Sequence, residues 1–112
     1  MQRSLDITCK PIRGVNHILA EDQPIHSWYH FVLSFPPHLV REYIDRFALS
    51  RDVVVLDPFC GTGTTPVECK RLGIPSIGIE AVPVVHFASS AKTDWSISPD
   101  RLVADAERVA DA

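Results

Sequence analysis

One stretch of this sequence combines an acid, glycines and hydroxyl residues in an order that suits ligand binding. It runs from Asp57 to Thr65 with the sequence DPFCGTGTT, and a second acid, Glu80, follows 23 positions after Asp57. Gly61 and Gly63 supply backbone freedom where the chain must turn and where a ligand can approach closely. An acid at this distance can accept hydrogen bonds from ribose hydroxyls. The pattern therefore predicts a nucleoside-binding site.

The residues around this stretch predict the elements that position it. Val53 to Leu56 are four apolar residues, three of them β-branched, which favours a buried parallel strand. Thr65 to Glu68 have the form of a capping box, with Thr65 as the N-cap and Glu68 reaching back to the backbone of the cap. Basic residues ahead of Gly73 mark the end of that helix. Ile74 to Glu80 then form a second strand that ends in an acid.

The spacing of the glycines disfavours a phosphate ligand. A Walker loop requires a lysine that does not follow Gly61 or Gly63 at the necessary distance. A dinucleotide fingerprint requires a third glycine at the position that Pro66 occupies. Glu80, at the tip of the second strand, is placed to accept hydrogen bonds from two ribose hydroxyls. We therefore expect an adenosine-containing ligand that is not gripped through a phosphate.

The DPFCGTGTT stretch followed by Gly78-Ile79-Glu80 resembles motif I and the next acidic strand of S-adenosylmethionine-dependent DNA amino-methyltransferases. These enzymes act on an exocyclic amino group of adenine or cytosine. The resemblance is closest from Asp52 to Trp95, and it implies an α/β fold of Rossmann-like type, with parallel strands and flanking helices. It also implies S-adenosyl-L-methionine as the cofactor. The cofactor-binding residues would be Asp57, Pro58, Phe59, Cys60, Gly61, Thr62, Gly63, Thr64, Thr65, Glu80 and Ala81.

The chain carries fewer predicted strands than a complete methyltransferase sheet. We therefore expect residues 26–112 to be the N-terminal part of a truncated methyltransferase domain, and residues 1–25 to be an irregular arm. The catalytic motif of the resembled family, [DNS]PP[YFW], is absent, because Phe35 separates Ser34 from the two prolines and His38 stands in the aromatic position. The resemblance thus implies an enzyme, but we predict that this chain alone is inactive and contains no catalytic residue.

The segment from His26 to Phe31 leaves three interpretations open. His26 and His30 could be metal ligands on one helix turn, although no third ligand lies nearby in the sequence. The aromatic residues could instead be buried against the sheet. In the resembled family, a segment of this kind precedes motif I and lines the methionine end of the cofactor site, and Phe35 to Val40 match that pattern loosely.

Three further helices are predicted from caps and apolar spacing. Ser34 would cap a helix that turns an apolar face to the sheet and exposes its charged residues, including Arg41. A second helix begins near Pro83, and Val82 is a poor cap for it. His86 is expected on the surface of that helix or in its packing. Ser98 would cap a last helix with one apolar stripe, whose end at Ala112 looks cut because neither glycine nor a basic turn closes it.

Composition limits the possible partners and compartments. The net charge is −3 and the pI about 5.9, so the chain has no overall basic surface for nucleic acid. We expect DNA to contact regions mostly outside this chain. Cys9, Cys60 and Cys69 form no CxxC pair, which fits a reducing cytoplasm, and no metal is expected. No apolar run is long enough for a membrane span, and the sequence does not define an oligomeric state.

Two other functions stay open at this point. A fragment of an RNA guanine methyltransferase can carry a very similar glycine loop. Alternatively, the chain could be a non-catalytic module that binds a nucleoside or another protein. The catalytic tetrapeptide and its neighbouring target-recognition region would separate these functions.

Overall fold

A computed structural model describes residues 17–29 and 34–112 of the chain. The described residues form one short 3-10 turn, five α-helices and two β-strands. In chain order these are the 3-10 turn Ala20–Asp22, α1 Gln23–His26, α2 Pro37–Arg46, β1 Val55–Asp57, α3 Thr64–Leu72, β2 Ser76–Gly78, α4 Pro83–Thr93 and α5 Pro99–Ala110. None of these helices is long and apolar enough to cross a membrane.

The two strands pair in parallel, with α3 as the connection between them. Val55 lies opposite Ser76, Leu56 opposite Ile77 and Asp57 opposite Gly78. The predicted α/β class with parallel strands and flanking helices is therefore confirmed at this level. Among the described residues the sheet contains two strands. Parallel pairing brings the carboxyl ends of both strands to one edge, where the glycine loop begins.

The strands are less buried than the sequence predicted. Val54, Leu56 and Ile77 are each more than half exposed, and β1 begins at Val55 rather than Val53. Parallel strands are apolar throughout when layers cover both faces of the sheet. Here α3 packs against both strands, and no described element covers the face that carries Leu56 and Ile77. The prediction of a buried strand was wrong for that face.

The small core lies between α2, α3 and the start of β2. Its buried members are Val40 and Ile44 of α2, Cys69 of α3, and Ile74 just before β2. The predicted apolar face of α2 is thus confirmed for Val40 and Ile44, although the helix packs on α3 and not mainly on the sheet. Tyr43 and Phe47 of the same face are about two-fifths exposed. The helix begins at Pro37 with Pro36 as its N-cap, and no side chain caps it. The prediction of Ser34 as the cap was wrong, because the prolines pre-set the first turn two residues further along.

The start of α3 also differs from its prediction. Gly63, in the left-handed region with φ of 90°, is the N-cap, and no side chain bonds to the free N–H groups of the first turn. Thr65 is therefore inside the helix, and the predicted capping box does not form. The Glu68 side chain is fully buried and bonds elsewhere. The predicted end of α3 is confirmed, since Gly73 closes it with φ of 71° after the basic pair Lys70 and Arg71.

The later helices agree more closely with the sequence. α4 begins at Pro83, and its N-cap Val82 makes no side-chain hydrogen bond, as predicted. The hydroxyl of Ser98 accepts a hydrogen bond from the N–H of Arg101 at 3.5 Å and so caps α5. His86 is exposed on α4. No residue of α5 is buried among the described parts of the chain.

Glu68 is the centre of an ionic cluster that the sequence did not indicate, in which the acids and the histidine are buried and the two arginines are partly exposed. We call Asp22, His26, Arg41, Glu68 and Arg71 the acid–arginine cluster. Glu68 Oε1 is 2.8 Å from His26 Nε2 and accepts from Arg71 at 3.0 Å, while Oε2 accepts from Arg41 at 2.7 Å. Asp22 accepts two hydrogen bonds from Arg41 at 2.8 and 2.9 Å, and one from Arg71 at 3.1 Å. Arg41 thus faces this cluster. The prediction that it faces water was wrong.

The cluster joins the N-terminal turn to α2 and α3. Asp22 and His26 belong to the part of the chain before α2, and both are buried. Hydrogen bonds from Arg41 lower the pKa of Asp22 against the opposing effect of burial. Burial raises the pKa of Glu68, but bonds from His26, Arg41 and Arg71 together outweigh it, so this pKa also lies below its ordinary value. Both acids are therefore ionised near neutral pH.

Replacing the central acid tests this cluster. Glu68→Gln keeps the shape of the side chain but removes the negative charge that faces two guanidinium groups. We therefore expect the free energy of unfolding to fall by about 3–5 kcal/mol. Because both acids have lowered pKa values in the folded chain, their stabilisation is fully present above the unfolded-state values, from about pH 5 upward. It is lost as the pH falls through the lower folded-state values.

Denaturant unfolding between acid and neutral pH measures both effects. Glu42→Gln is the matched control, because Glu42 is an exposed acid on α2. We expect the control to unfold like the parent. Glu68→Gln should have a lower free energy of unfolding, and that free energy should change less between neutral and acid pH. Equal stability and equal pH dependence in Glu68→Gln and Glu42→Gln would show that the cluster is not a stabilising element.

Candidate functional site

The glycine loop leaves β1 through a tight turn. The Asp57 carboxylate accepts a hydrogen bond from the N–H of Phe59 at 3.1 Å, which is the local turn that aspartate favours. The N–H of Cys60 then donates to the carbonyl of Ile79 at 3.0 Å. This bond fastens the loop to the end of β2. Gly63 completes the loop by donating to the carbonyl of Cys60 at 2.9 Å.

Both loop glycines adopt a conformation that other residues rarely take. The φ angles are 54° at Gly61 and 90° at Gly63, and a side chain is strained in this region. A Cβ at Gly61 would meet no atom within 4 Å, whereas one at Gly63 would lie 2.5 Å from Ser89 Oγ. Gly61 therefore borders open space, and Gly63 faces α4. The prediction that the chain turns at these glycines is confirmed.

Glu80 lies against the glycine loop. Its Oε2 accepts a hydrogen bond from the N–H of Gly61 at 3.1 Å, and its Oε1 accepts one from the N–H of Val82 at 2.8 Å. Each carboxylate oxygen has two acceptor sites, so one remains on each oxygen for a ligand hydroxyl. Glu80 thus connects the loop after β1 to the turn before α4. Its position is fixed by the protein itself and does not require a ligand.

A cleft of about 220 Å³ opens between Glu80 and the loop. Phe59 stands at this cleft with 87% of its surface exposed. The hydroxyls of Ser34 and Thr62 are hydrogen bonded at 3.3 Å, which joins the segment before α2 to the loop. The residues that line the cleft are Ser34, Phe35, Phe59, Cys60, Gly61, Thr62, Thr64 and Glu80.

The cleft contains only part of the set that the sequence predicted. Asp57, Pro58, Gly63, Thr65 and Ala81 do not line it. Asp57 is engaged with its own turn, Gly63 packs on α4, and Thr65 borders a separate apolar cavity beside α2. The cofactor-binding roles of all these residues stay predictions.

Two residues of the cleft were not predicted as site residues. Ser34 and Phe35 lie 22 or more positions before the glycine loop in the sequence. The sequence treated Ser34 as a helix cap, because a serine ahead of two prolines is a common helix start. The loose family pattern from Phe35 to Val40 was the available signal. Only the folded arrangement shows that the Ser34 hydroxyl turns to Thr62.

The chemistry of the lining residues suits binding more than bond breaking. Among the described residues that line the cleft, Glu80 carries the one carboxyl group, no Lys, Arg or His is present, and both Glu80 oxygens are already bonded. Burial raises the pKa of the Cys60 thiol, so Cys60 is a neutral packing group and not a nucleophile. The cleft can hold hydroxyl and charged groups of a ligand by hydrogen bonds, and it offers the Phe59 ring for contact.

A larger cavity of about 540 Å³ lies on the other side of Cys60, between α3, β2 and α4. Its polar lining includes Lys70, His86, Ser90 and Thr93. No acid lines it, and Glu80 does not reach it. Size alone therefore does not identify the site. The smaller cleft is the better candidate because the loop and the strand-end acid meet there.

The histidine segment has a structural role in the described residues. His26 is buried and bonds to Glu68, while Trp28 is 63% and Tyr29 41% exposed. The prediction that these aromatic residues are buried against the sheet was wrong for Trp28 and Tyr29. His30 and Phe31 lie outside the described residues. Within residues 17–29 and 34–112, no group of three or more His, Cys, Asp or Glu side chains could hold a metal ion.

Comparison with known proteins gives consistent matches. The type II methyltransferase M.BsoBI of Geobacillus stearothermophilus is 40% identical over 79 residues, which cover 70% of this chain and 16% of that protein. The type II methyltransferase M.MjaII of Methanocaldococcus jannaschii is 39% identical over 59 residues, which cover 53% of this chain and 11% of that protein. The chain thus spans a small part of the length of these relatives. No solved structure gives a significant match.

A family model described as DNA methylase, that of the N6 and N4 methyltransferases, matches residues 12–86. The match includes α2, the whole strand, loop and helix unit, and Glu80. It covers well over half of the chain, and both relatives carry the same kind of name. The chain therefore belongs to the N6/N4 family of DNA methylases.

Proposed function

We propose that this chain is the cofactor-binding portion of a site-specific DNA methyltransferase that methylates an exocyclic amino group of adenine or cytosine. The cofactor would be S-adenosyl-L-methionine. The observation that carries the proposal is the hydrogen bond between Glu80 Oε2 and the N–H of Gly61 at 3.1 Å. This bond joins the acid predicted to hold a ribose to the loop that resembles motif I.

The residues of the cleft fit the groups that this cofactor presents. The free acceptor sites of Glu80 suit the two ribose hydroxyls, because charged acceptors form strong hydrogen bonds with hydroxyl donors. The N–H groups from Phe59 to Gly61, and that of Gly63, are already bonded within the protein. The first turn of α3, which no side chain caps, therefore offers the N–H groups that suit a carboxylate. Phe59, which is largely exposed at the cleft, would cover an apolar part of the ligand. Each contact uses a different part of the cofactor, so together they would fix its orientation.

The size of the cleft indicates that these residues form only one wall of the complete site. Sites for ligands of drug size usually measure about 300–1,000 Å³, and this cleft measures about 220 Å³. Further residues of a complete enzyme would close it. The small share of the relatives that this chain covers supports the same conclusion.

The bound cofactor would supply an electrophilic methyl group on a sulfonium. The residues of this chain would bind and orient it, and positioning alone lowers the barrier of a transfer between two bound reactants. The target amino group would need separate hydrogen-bond acceptors and an aromatic partner for a flipped base. The sequence from Ser34 to His38 does not supply them in the required order.

DNA is the proposed substrate, because the matching family model is described as DNA methylase, and both relatives are named as type II methyltransferases. The net charge of −3 argues against this chain as the main DNA-binding surface. The DNA contacts would then belong to other regions of a complete enzyme. A cytoplasmic location is consistent with this proposal.

The Glu80→Gln substitution tests the ribose contact. An amide keeps the shape and one acceptor but removes the charge, so we expect the Kd for S-adenosylmethionine to rise by about tenfold or more. Part of the fold stability would be lost as well, because the carboxylate also binds the N–H groups of Gly61 and Val82. Calorimetric titration measures the Kd, and thermal unfolding measures the stability separately.

Glu107→Gln on α5 is the control for that experiment, because Glu107 is an exposed acid outside the cleft. It should bind the cofactor like the parent. If Glu80→Gln binds as tightly as Glu107→Gln, Glu80 is a structural acid and does not hold the ribose.

The missing catalytic motif gives a second expectation. The purified 112-residue chain should transfer no methyl group from labelled S-adenosylmethionine to DNA or RNA, since it lacks a set of residues that could hold a target amino group. A complete type II methyltransferase, assayed on the same DNA, provides the positive control. Incorporation of label above background by this chain alone would disprove the expectation.

A further inference from the structure

The glycine loop has one face toward the cleft and another toward α4. At Gly61, an added Cβ would project into open space. At Gly63, an added Cβ would lie 2.5 Å from Ser89 Oγ and 3.1 Å from Ser89 Cα. Distances below 3 Å between such atoms are strongly repulsive. The two glycines therefore meet different surroundings although they stand two positions apart.

Ser89 is the residue of α4 on which the loop rests. It is 7% exposed, and its hydroxyl lies 3.9 Å from the sulfur of Cys60, a distance that suits a weak hydrogen bond to sulfur. Cys60 is itself buried at 6% exposure and lines the cleft. Ser89 thus contacts the loop at two points, Cys60 and Gly63. Its Cα belongs to the helix backbone and cannot move aside without shifting α4.

We propose that Ser89 is a positioning residue, which sets the distance between the glycine loop and α4. At this distance the N–H of Gly61 can donate to Glu80 at the cofactor cleft. In this arrangement Gly61 leaves room for the ligand, and Gly63 lets the loop sit directly on Ser89. The identity of the ligand rests on the proposed function above. The contact between the loop and Ser89 does not depend on it.

The bond between Gly61 and Glu80 makes the cleft sensitive to the distance between the loop and α4. Its length of 3.1 Å is near the upper end of the usual range for such bonds. A side chain at Gly63 would have to displace the loop or α4. A shift of about 1 Å would break the bond and misplace the loop N–H groups, and displacements of that size can change function by tenfold or more.

Paired substitutions separate this contact from general effects on the fold. Gly63→Ala introduces the clash, and Ser89→Gly in the same chain removes the hydroxyl and Cβ that the new methyl group would meet. Gly63→Ala with Ser90→Gly is the matched control, because Ser90 is the next residue of α4 and is exposed. Both glycines carry a similar cost within a helix, so the two double variants differ mainly at the proposed contact.

Alkylation of the cysteines, resolved by peptide mass spectrometry, reports the position of the loop. Cys60 is a buried residue of the loop itself, so its alkylation reports movement of the loop. Cys69 is fully buried in the core and serves as an internal reference for global unfolding. In Gly63→Ala we expect Cys60 to react about tenfold or more faster with Cys69 unchanged. Ser89→Gly should reverse part of this increase, because it removes the hydroxyl and Cβ while the strain of alanine at φ of 90° and the contact with the helix Cα remain. Ser90→Gly should reverse none of it. Equal effects of the two second substitutions, or equal acceleration at Cys60 and Cys69, would overturn the proposal.

Calorimetric titration of the same variants with S-adenosylmethionine completes the test. The Kd should follow the Cys60 rates, with an increase of about tenfold in Gly63→Ala that Ser89→Gly partly reverses and Ser90→Gly does not. An unchanged Kd across variants whose Cys60 alkylation rates differ would show that the distance between the loop and α4 does not affect the affinity for S-adenosylmethionine. That result would overturn the positioning role of Ser89. If the parent binds no S-adenosylmethionine, the proposed cofactor function fails. The expected pattern of Cys60 alkylation rates would then still support the contact between the loop and Ser89.

Discussion

Parallel pairing of β1 and β2 is the constraint on which the candidate site depends. It brings Asp57 and Gly78 side by side, so the loop that follows one strand and the acid that follows the other begin at the same edge of the sheet. Two further bonds then fix their relation, from Cys60 N–H to the carbonyl of Ile79 and from Gly61 N–H to Glu80. The cleft exists because backbone groups, and not only side chains, hold its walls.

α3 carries this arrangement into the rest of the fold. It begins at the glycine loop, packs against both strands, and contacts α2 and α4 on its sides. The buried carboxylate of Glu68 connects it through Arg41 to α2 and through His26 to α1. A charge at such a position is costly unless it is fully paired. Removing a partner would leave this buried charge uncompensated, so we expect α1, α2 and α3 to meet in the arrangement that pairs it.

Local signals predicted the parts of the structure that depend on nearby residues. The glycine turns, the end of α3 at Gly73 and the cap at Ser98 follow from backbone conformation and short-range hydrogen bonds, and the sequence was sufficient for them. The resemblance of the motif also led to the correct family.

The errors concern contacts between distant residues. Glu68 fits a capping box by its spacing from Thr65, but its partners His26 and Arg41 lie 42 and 27 positions away. The fit of Ser34 to Thr62 is likewise a contact across 28 positions. Leu56 has the composition of a buried strand, yet burial depends on which layers cover the sheet. Sequence spacing does not contain this information.

The central claim is that S-adenosylmethionine binds in the cleft that the glycine loop and Glu80 line together. Titration of the isotopically labelled chain with this cofactor, followed by the NMR signals of its backbone amides, tests the location directly. The account predicts saturable shifts at Gly61, Thr62 and Glu80, and unchanged signals along α5. Shifts confined to the larger cavity around His86 and Thr93, or no saturable shifts at all, would contradict it.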